Sequence, residues 1–175
     1  MIRLFLHFPP HYLVWTGNET LVTFDDLLNN SLPVPSGYYI NRYTFGSASG
    51  YYTAAVSGNN TLYNAYGLPR SMTSANGRLF TLNSAVAAAA WFDNLTLTVT
   101  GYNFNAIIRN QTFTLQVFTL SYLNFSGYQG LNAVVFTTSG GTRHLTVTGN
   151  GAHFAMDNLC LTFIQIFEMH LNKHH

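Results

Sequence analysis

Six carboxylates serve the whole 175-residue chain, so each can be weighed for chemistry. Glu19 and Glu168 lie outside the middle of the sequence, which leaves Asp25, Asp26, Asp93 and Asp157. Glycoside hydrolysis needs two carboxylates facing each other across about 5–10 Å. Asp157 with Asp25 or Asp26 forms such a pair only if the fold brings the two ends of the chain together. The alternative is structural: Asp25 and Asp26 cap a loop, while Asp157 meets an arginine or sits at a bulge. Phe154 and Met156 alternate normally, and Asp157-Asn158 then interrupts the apolar run as a bulge does. Asp93 beside Asn94 reads as a turn residue. There is no Gly-x-Ser-x-Gly, no phosphate loop and no His-Glu-x-x-His. Gly149-Asn-Gly151 lacks the third glycine and the helix of a dinucleotide site, and reads as a hairpin turn. The expectation is a protein without enzymatic activity.

Aromatic rings are the other resource, at 15% of residues with eleven tyrosines. Flat rings can stack on pyranose faces while Asn, Asp and Arg reach the hydroxyls. Tyr38, Tyr39, Tyr51 and Tyr52 lie beside Gly/Ser loops, as do Tyr102 and Tyr128, so these six are the candidate ligand-binding residues. Adjacent tyrosines also put one ring inward and one outward, and sandwich cores routinely use such rings. Trp91 ends a strand that reads as buried on both faces. His144 shares a face with Thr146 and Thr148, and His153 flanks a turn, neither with an acidic partner in sequence. His170, His174 and His175 form a tail, which lacks the rigid frame a metal site needs. The single cysteine, Cys160, excludes an internal disulfide and Cys-paired zinc, and reads as an inert core residue.

The elements that must position these residues are strands. Leu95-Thr-Leu-Thr-Val-Thr100 puts three apolar side chains on one face and three threonines on the other, and Phe113-Thr-Leu-Gln-Val117 and Leu145-Thr-Val-Thr148 repeat the pattern. Threonine suits the open side of a half-buried antiparallel strand. Ser139-Gly-Gly-Thr142 and Gly149-Asn-Gly151 predict hairpin turns, which makes the last third, 133–163, a three-strand meander. Further strands are expected at 21–24, 38–45, 51–56, 61–66, 78–82, 84–91 and 95–102, with turns at Asp93-Asn94 and 103–105 and no helix. The small side chains of Ala85–Ala90 would let two sheets approach closely. The fold class is all-β: a two-sheet antiparallel β-sandwich of jelly-roll type, with ten to twelve strands. The first and last strands of a jelly-roll often lie side by side, which is what would bring Asp157 to Asp25 and Asp26.

Only 7% of residues are charged and the net charge is +1, so nothing marks a nucleic-acid footprint. No apolar run is long enough to span a membrane as a helix, and an apolar fraction of 47% excludes intrinsic disorder. The chain divides into an N-terminal arm or truncated leader (1–20), a β-sandwich domain (21–163) and a C-terminal extension (164–175). Glycosylation acceptors begin at Asn18, Asn29, Asn59, Asn94, Asn110 and Asn124, with Asn59, Asn94 and Asn110 expected at turns. Glycans would supply the solubility that charge does not, so the expected location is secreted or cell-surface.

The order of short motifs resembles a known group. Thr23-Phe-Asp-Asp-Leu27, Pro35-Ser-Gly-Tyr38, Val56-Ser-Gly-Asn59 and Asn64-Ala-Tyr-Gly67 form the front half. Ala90-Trp91, Leu95-Thr-Leu-Thr-Val-Thr-Gly-Tyr102, Ser139-Gly-Gly141 and Phe154-Ala-Met-Asp-Asn-Leu159 follow. Together they are similar to secreted jelly-roll β-sandwich modules of fungal and bacterial extracellular proteins, themselves like carbohydrate-binding modules of the galactose-binding-like class. The resemblance covers residues 21–163. It implies a module that binds polysaccharide or glycan without catalysis, and one structural Ca²⁺ held by Asp25, Asp26, Asp157 and Asn158, since calcium takes six to eight oxygens. A competing expectation comes from the edges of the sandwich. Lys, Glu and Pro normally defend edge strands; here there is one lysine, Lys173, which favours a self-assembling structural subunit that makes homo-oligomers through edge strands. Polysaccharide cleavage ranks third.

Overall fold

The computed structural model describes residues 19–25, 39–42, 51–58, 60–74 and 77–164, with residues 39–42, 51 and 65 described by their backbone alone. The strands in chain order are β1 (Glu19–Val22), β2 (Tyr39–Arg42), β3 (Asn60–Tyr63), β4 (Arg70–Thr73) and β5 (Phe80–Ala89). They continue with β6 (Phe92–Asn103), β7 (Ala106–Leu115), β8 (Ser121–Asn124), β9 (Ala133–Arg143) and β10 (Phe154–Phe163). A single helical turn, α1 (Tyr51–Ala54), precedes β3.

The strands pair antiparallel in two sheets, one ordered β2-β3-β10-β5-β8 with β1 also on β10, the other β4-β9-β6-β7. This is the expected β-sandwich, and the period-two reading of β6 explains why it closes. Leu95, Leu97 and Val99 are fully buried, each worth about 1.5–3 kcal/mol relative to exposure. Thr96, Thr98 and Thr100 face the other way, opposite Thr114, Thr112 and Asn110 of β7. From the other sheet Phe80, Leu82, Phe154 and Met156 meet them, and Phe136 and Phe154 approach to 6.1 Å between ring centres. Tyr128 is fully buried in the same core, its hydroxyl donating to the Val99 carbonyl at 2.7 Å. Burial pushes that phenol up to about 12.

First and last described strands do pair, from Glu19↔Thr162 to Val22↔Leu159. The same edge of β10 pairs with β3 further along, at Ala155↔Tyr63 and Met156↔Leu62. Between the two partners β10 bulges: Asn158 has φ +49° and the register against β5 shifts between Asp157 and Cys160.

Several local expectations are corrected. Residues 51–56 contain α1 rather than a strand. The reason is tertiary: Ala54 packs with Ala88, Ala90 and Ala155 on the side of the sheet away from the main core, while Ala85, Ala87 and Ala89 face inward. The alanines thus admit a helical turn as well as the second sheet. The stretches 78–82 and 84–91 join as β5, and β4 was not anticipated. The chain reverses at Ala90-Trp91, so Asp93 and Asn94 lie within β6. The expected meander does not form, because β9 pairs with β6 and β4 whereas β10 belongs to the other sheet. Ser139-Gly-Gly141 stays inside β9. Gly141, at φ +80°, passes so close to β6 that a Cβ would stand 2.9 Å from that of Phe92, and such glycines bend a strand without ending it. Leu145-Thr-Val-Thr148 is a turn, with Leu145 99% exposed and Val147 buried.

Candidate functional site

Two polar regions deserve the chemical question, and the first is the bulge. Asp157 is fully buried. One carboxylate oxygen accepts the Val56 and Ser57 N–H groups, both at 3.0 Å, and the other accepts its neighbour Asn158 N–H at 2.7 Å. The Ser57 hydroxyl lies 2.9 Å from both oxygens. Asp25 joins from beyond β1, with one oxygen 3.2 Å from that hydroxyl and the other accepting Asn60 N–H. The fold thus brings Asp25 and Asp157 together across Ser57, as the jelly-roll reasoning anticipated. Asp26 lies outside the described residues. Asn158 is adjacent, and its side-chain oxygen is buried without a hydrogen bond.

Asp157, as the described residues place it, is not arranged to hold calcium. The four lone-pair sites of the Asp157 carboxylate meet three N–H groups and one hydroxyl, so they are already occupied by donors. A Ca²⁺ ion needs oxygens that face it; among the described residues no group of three His, Cys, Asp or Glu side chains could hold a metal. The same saturation argues against a nucleophile or general base. Asp157 closes the gap where β10 exchanges one neighbour for another, by satisfying backbone donors of the α1–β3 loop that no strand pairs.

The second region is one end of the sandwich. β5 and β7 end there and β6 begins there, and three backbone bonds gather the loops: Ala89 N–H to Gln116 O, Ala90 N–H to His153 O and His144 N–H to Trp91 O. The buried Asn64 adds the segment after β3, donating to Ala152 O and Thr138 Oγ1 and accepting Phe154 N–H. The Trp91 ring lies against Gly149, where a Cβ would sit 2.3 Å from ring carbons. Its Nε1–H donates to His153 Nδ1 at 3.3 Å, and burial lowers the pKa of His153.

Around this base stand exposed rings. Tyr66 is 82% exposed at φ +60°, and Phe118 is 42% exposed at φ +59°. A bulky residue at positive φ is held there by its surroundings at a cost of about 1–3 kcal/mol. Phe118 meets the His144 ring edge-on at 5.2 Å. His144 Nε2 is 3.9 Å from Asp93 Oδ2, whose other oxygen accepts Val117 N–H. Asn94 and Gln116 exchange two hydrogen bonds, backbone N–H to Oε1 and Nε2 to Oδ1.

Asp93, His144 and the Thr146 hydroxyl fall in the order acid, imidazole, hydroxyl, with Thr146 Oγ1 3.0 Å from His144 Nδ1. They do not form a nucleophile relay. That nitrogen also accepts Thr146 N–H, and 3.9 Å is too long for a hydrogen bond to the acid. The group braces a turn and leaves the imidazole face toward Phe118.

The described candidate tyrosines are spread over β2, α1, β6 and the segment between β8 and β9. Tyr38 lies outside the described residues, Tyr39 is in β2, and Tyr51 opens α1. Tyr52 is exposed on α1, and Tyr102 is half-buried at the far end of β6. Tyr128 is corrected outright: as a core residue it offers no ring face to a ligand. Of the glycosylation acceptors, Asn18, Asn29 and Asn59 lie outside the described residues. Asn94, Asn110 and Asn124 are exposed; Asn94 and Asn110 lie in β6 and β7 rather than in the expected turns, and Asn124 lies in β8. Cys160 is free and half-buried, with Asn83 Nδ2 3.6 Å from its sulfur.

Sequence reasoning missed Tyr66, Phe118 and the Asp93–His144 contact. Tyr66-Gly67 carried a turn signal for the first; nothing local places Phe118 beside His144. It also passed over Tyr122, 81% exposed on β8, although alternation with the buried Leu123 turns it outward.

No protein-family model and no curated protein sequence matches the chain. Among solved structures the fold is similar to that of a DUF4465 family protein from Bacteroides caccae, with 15% identity and a TM-score of 0.61 over 82% of this chain and 98% of that one. A DUF4465 family protein from Bacteroides ovatus gives 10% identity and a TM-score of 0.44, over 86% of this chain and 96% of that one. A CBM4 structure gives 15% identity and a TM-score of 0.36, over 81% of this chain and 96% of that one. The first supports a shared β-sandwich architecture; the other two superpose too loosely to add to it. Among the described residues no helix is long and apolar enough to cross a membrane.

Proposed function

We propose that the chain is a non-catalytic carbohydrate-binding or adhesion module that works outside the cell through the Trp91 end of the sandwich. The observation that carries this reading is two exposed rings at positive φ at this end, Phe118 against the braced His144 and Tyr66 next to Gly67, which approaches Ala152. An aromatic face covers the apolar side of a sugar ring, and rigid amide, imidazole and carboxylate groups meet its hydroxyls. Asn94, Gln116, His144 and Asp93 supply those groups, each already oriented by a partner, which lowers the ordering cost of binding. Catalysis is left out because the neighbouring carboxylates among the described residues, Asp25 and Asp157, are occupied by the chain's own donors.

A pull-down on a panel of insoluble polysaccharides tests the reading. Retention on at least one polymer is expected, unchanged by chelator, and weakened about tenfold by Tyr66→Ala or Phe118→Ala. Tyr122→Ala, away from this end, should bind as the wild type does. Failure on every polymer by folded protein would overturn the proposal. Loss in the Tyr122 variant alone would move the site to the outer face of the larger sheet.

A further inference from the structure

We infer that β7 is the surface through which two copies of this chain pair, edge to edge, into one continuous sheet. Among the described residues β7 has a single neighbour, β6, and ends its sheet. It is ten residues long, whereas the other strands at sheet ends, β2, β4 and β8, have four each. Brevity alone protects those three. Apart from Arg109 and a bulge near its start, β7 is undefended: Ala-Ile-Ile-Arg-Asn-Gln-Thr-Phe-Thr-Leu contains no lysine, no acid and no proline. Among the described residues its outer side is unpaired, and it presents backbone N–H and C=O groups that another strand would complete.

The register of β7 on β6 says which part pairs and in what alignment. From Leu95↔Leu115 to Gly101↔Arg109 the pairing is unbroken, and it then shifts so that Tyr102 meets Ile107. Ile108 is the extra residue, and this bulge interrupts the ladder and bends the strand there. The regular stretch is therefore Arg109–Leu115, with Thr112 at its centre. A two-fold axis there uses the whole stretch. It sets Thr112 opposite its own mate, Gln111 opposite Phe113, Asn110 opposite Thr114, and Arg109 opposite Leu115.

This self-pairing commits the occupant to a second copy. The one charge in the stretch, Arg109, falls at the end and never meets its mate, and facing threonines are a favourable cross-strand pair. Arg109, Asn110, Thr112 and Thr114 are exposed, Gln111 and Phe113 half-buried, and only Leu115, at the end of the stretch, is fully buried. A net charge of +1 adds little repulsion between copies. The dimer joins two four-stranded sheets into eight and does not depend on the carbohydrate reading.

Sedimentation of the full chain over a range of concentrations, with hydrogen exchange, tests the inference. Wild type should dimerise, with β7 amides slowing as concentration rises. Thr112→Lys sets two like charges face to face and should weaken the dimer at least about tenfold. In a Cys160→Ser background, Thr112→Cys should form a disulfide dimer under mild oxidation, whereas Asn110→Cys, whose mate is Thr114, should not. A chain that stays monomeric at every concentration would overturn the inference. So would a dimer that ignores Thr112→Lys and is not trapped by Thr112→Cys. Concentration-independent protection of β7 in a monomer would mean that another segment of the same chain covers the edge, and would overturn it too. If Thr112→Lys does not fold, the wild-type and cysteine results still decide.

Discussion

The bulge at Asp157 and the loop end around Trp91 use similar materials to opposite effect. At the bulge every polar contact runs inward: a buried carboxylate gathers backbone donors from the α1–β3 loop, and a second carboxylate shares its serine. At the loop end the polar contacts run sideways, bracing one side chain against another, and the side chains of Tyr66 and Phe118 remain exposed. The pair of acids that chemistry would single out in the sequence is thus committed to holding the fold. The exposed rings beside the second region, Tyr66 and Phe118, were not singled out as candidates by type and spacing.

The largest expected effect tests the structural role of the bulge. Asp157→Ala leaves three N–H groups without their acceptor, so it should cost about 3 kcal/mol or more in a urea or thermal melt. Thr98→Ala, on the regular open face of β6, should cost less than about 1 kcal/mol. Similar losses in the two variants would erase the distinction between bulge and ladder. At the loop end, Gly149→Ala drives a methyl group into the Trp91 ring and should destabilise by about 1–3 kcal/mol, with a change in tryptophan fluorescence.

Acid should act on the loop end through His153. Its folded-state pKa lies below the ordinary 6.5 because burial disfavours the charged ring. As pH falls, the unfolded chain therefore takes up the proton first. Stability from this residue is complete above about pH 6.5, declines below it, and levels off only beneath the folded-state value. His153→Gln, which can still accept the Trp91 N–H, should flatten that limb in denaturant midpoints measured across pH. A flat wild-type profile would mean that the ring is solvated. The smallest effect is expected at Leu145, which as a turn residue should tolerate Ser within about 0.5 kcal/mol; a loss of several times that would restore the strand expected there.

Legibility follows the range of the interactions. The alternation of Leu95, Leu97 and Val99 with threonines is a property of adjacent residues, and it gave both β6 and the sandwich. The bulge at Asp157-Asn158 was visible as a break in that alternation. By contrast, the same period at Leu145-Thr-Val-Thr148 misled, because β9 continues through its glycines and carries the chain past the point where a hairpin was expected. Tyr128 looked like a loop ring beside a glycine, yet its hydroxyl reaches the Val99 carbonyl in the core. Asp93 and His144 are close only because the ends of β6 and β9 pair, at Phe92↔Arg143 and Asp93↔Thr142.

By itself, the sequence determined the class of fold, the half-buried character of its strands and the absence of familiar catalytic motifs, because side-chain alternation and turn chemistry act over a few residues. Only the tertiary structure decided which strands pair, that Asp157 is a saturated acceptor and that Trp91 lies at the base of an end lined by Tyr66 and Phe118. Those outcomes depend on contacts between segments far apart in the chain, where backbone donors left over by one strand must find whatever acceptor the packing brings to them.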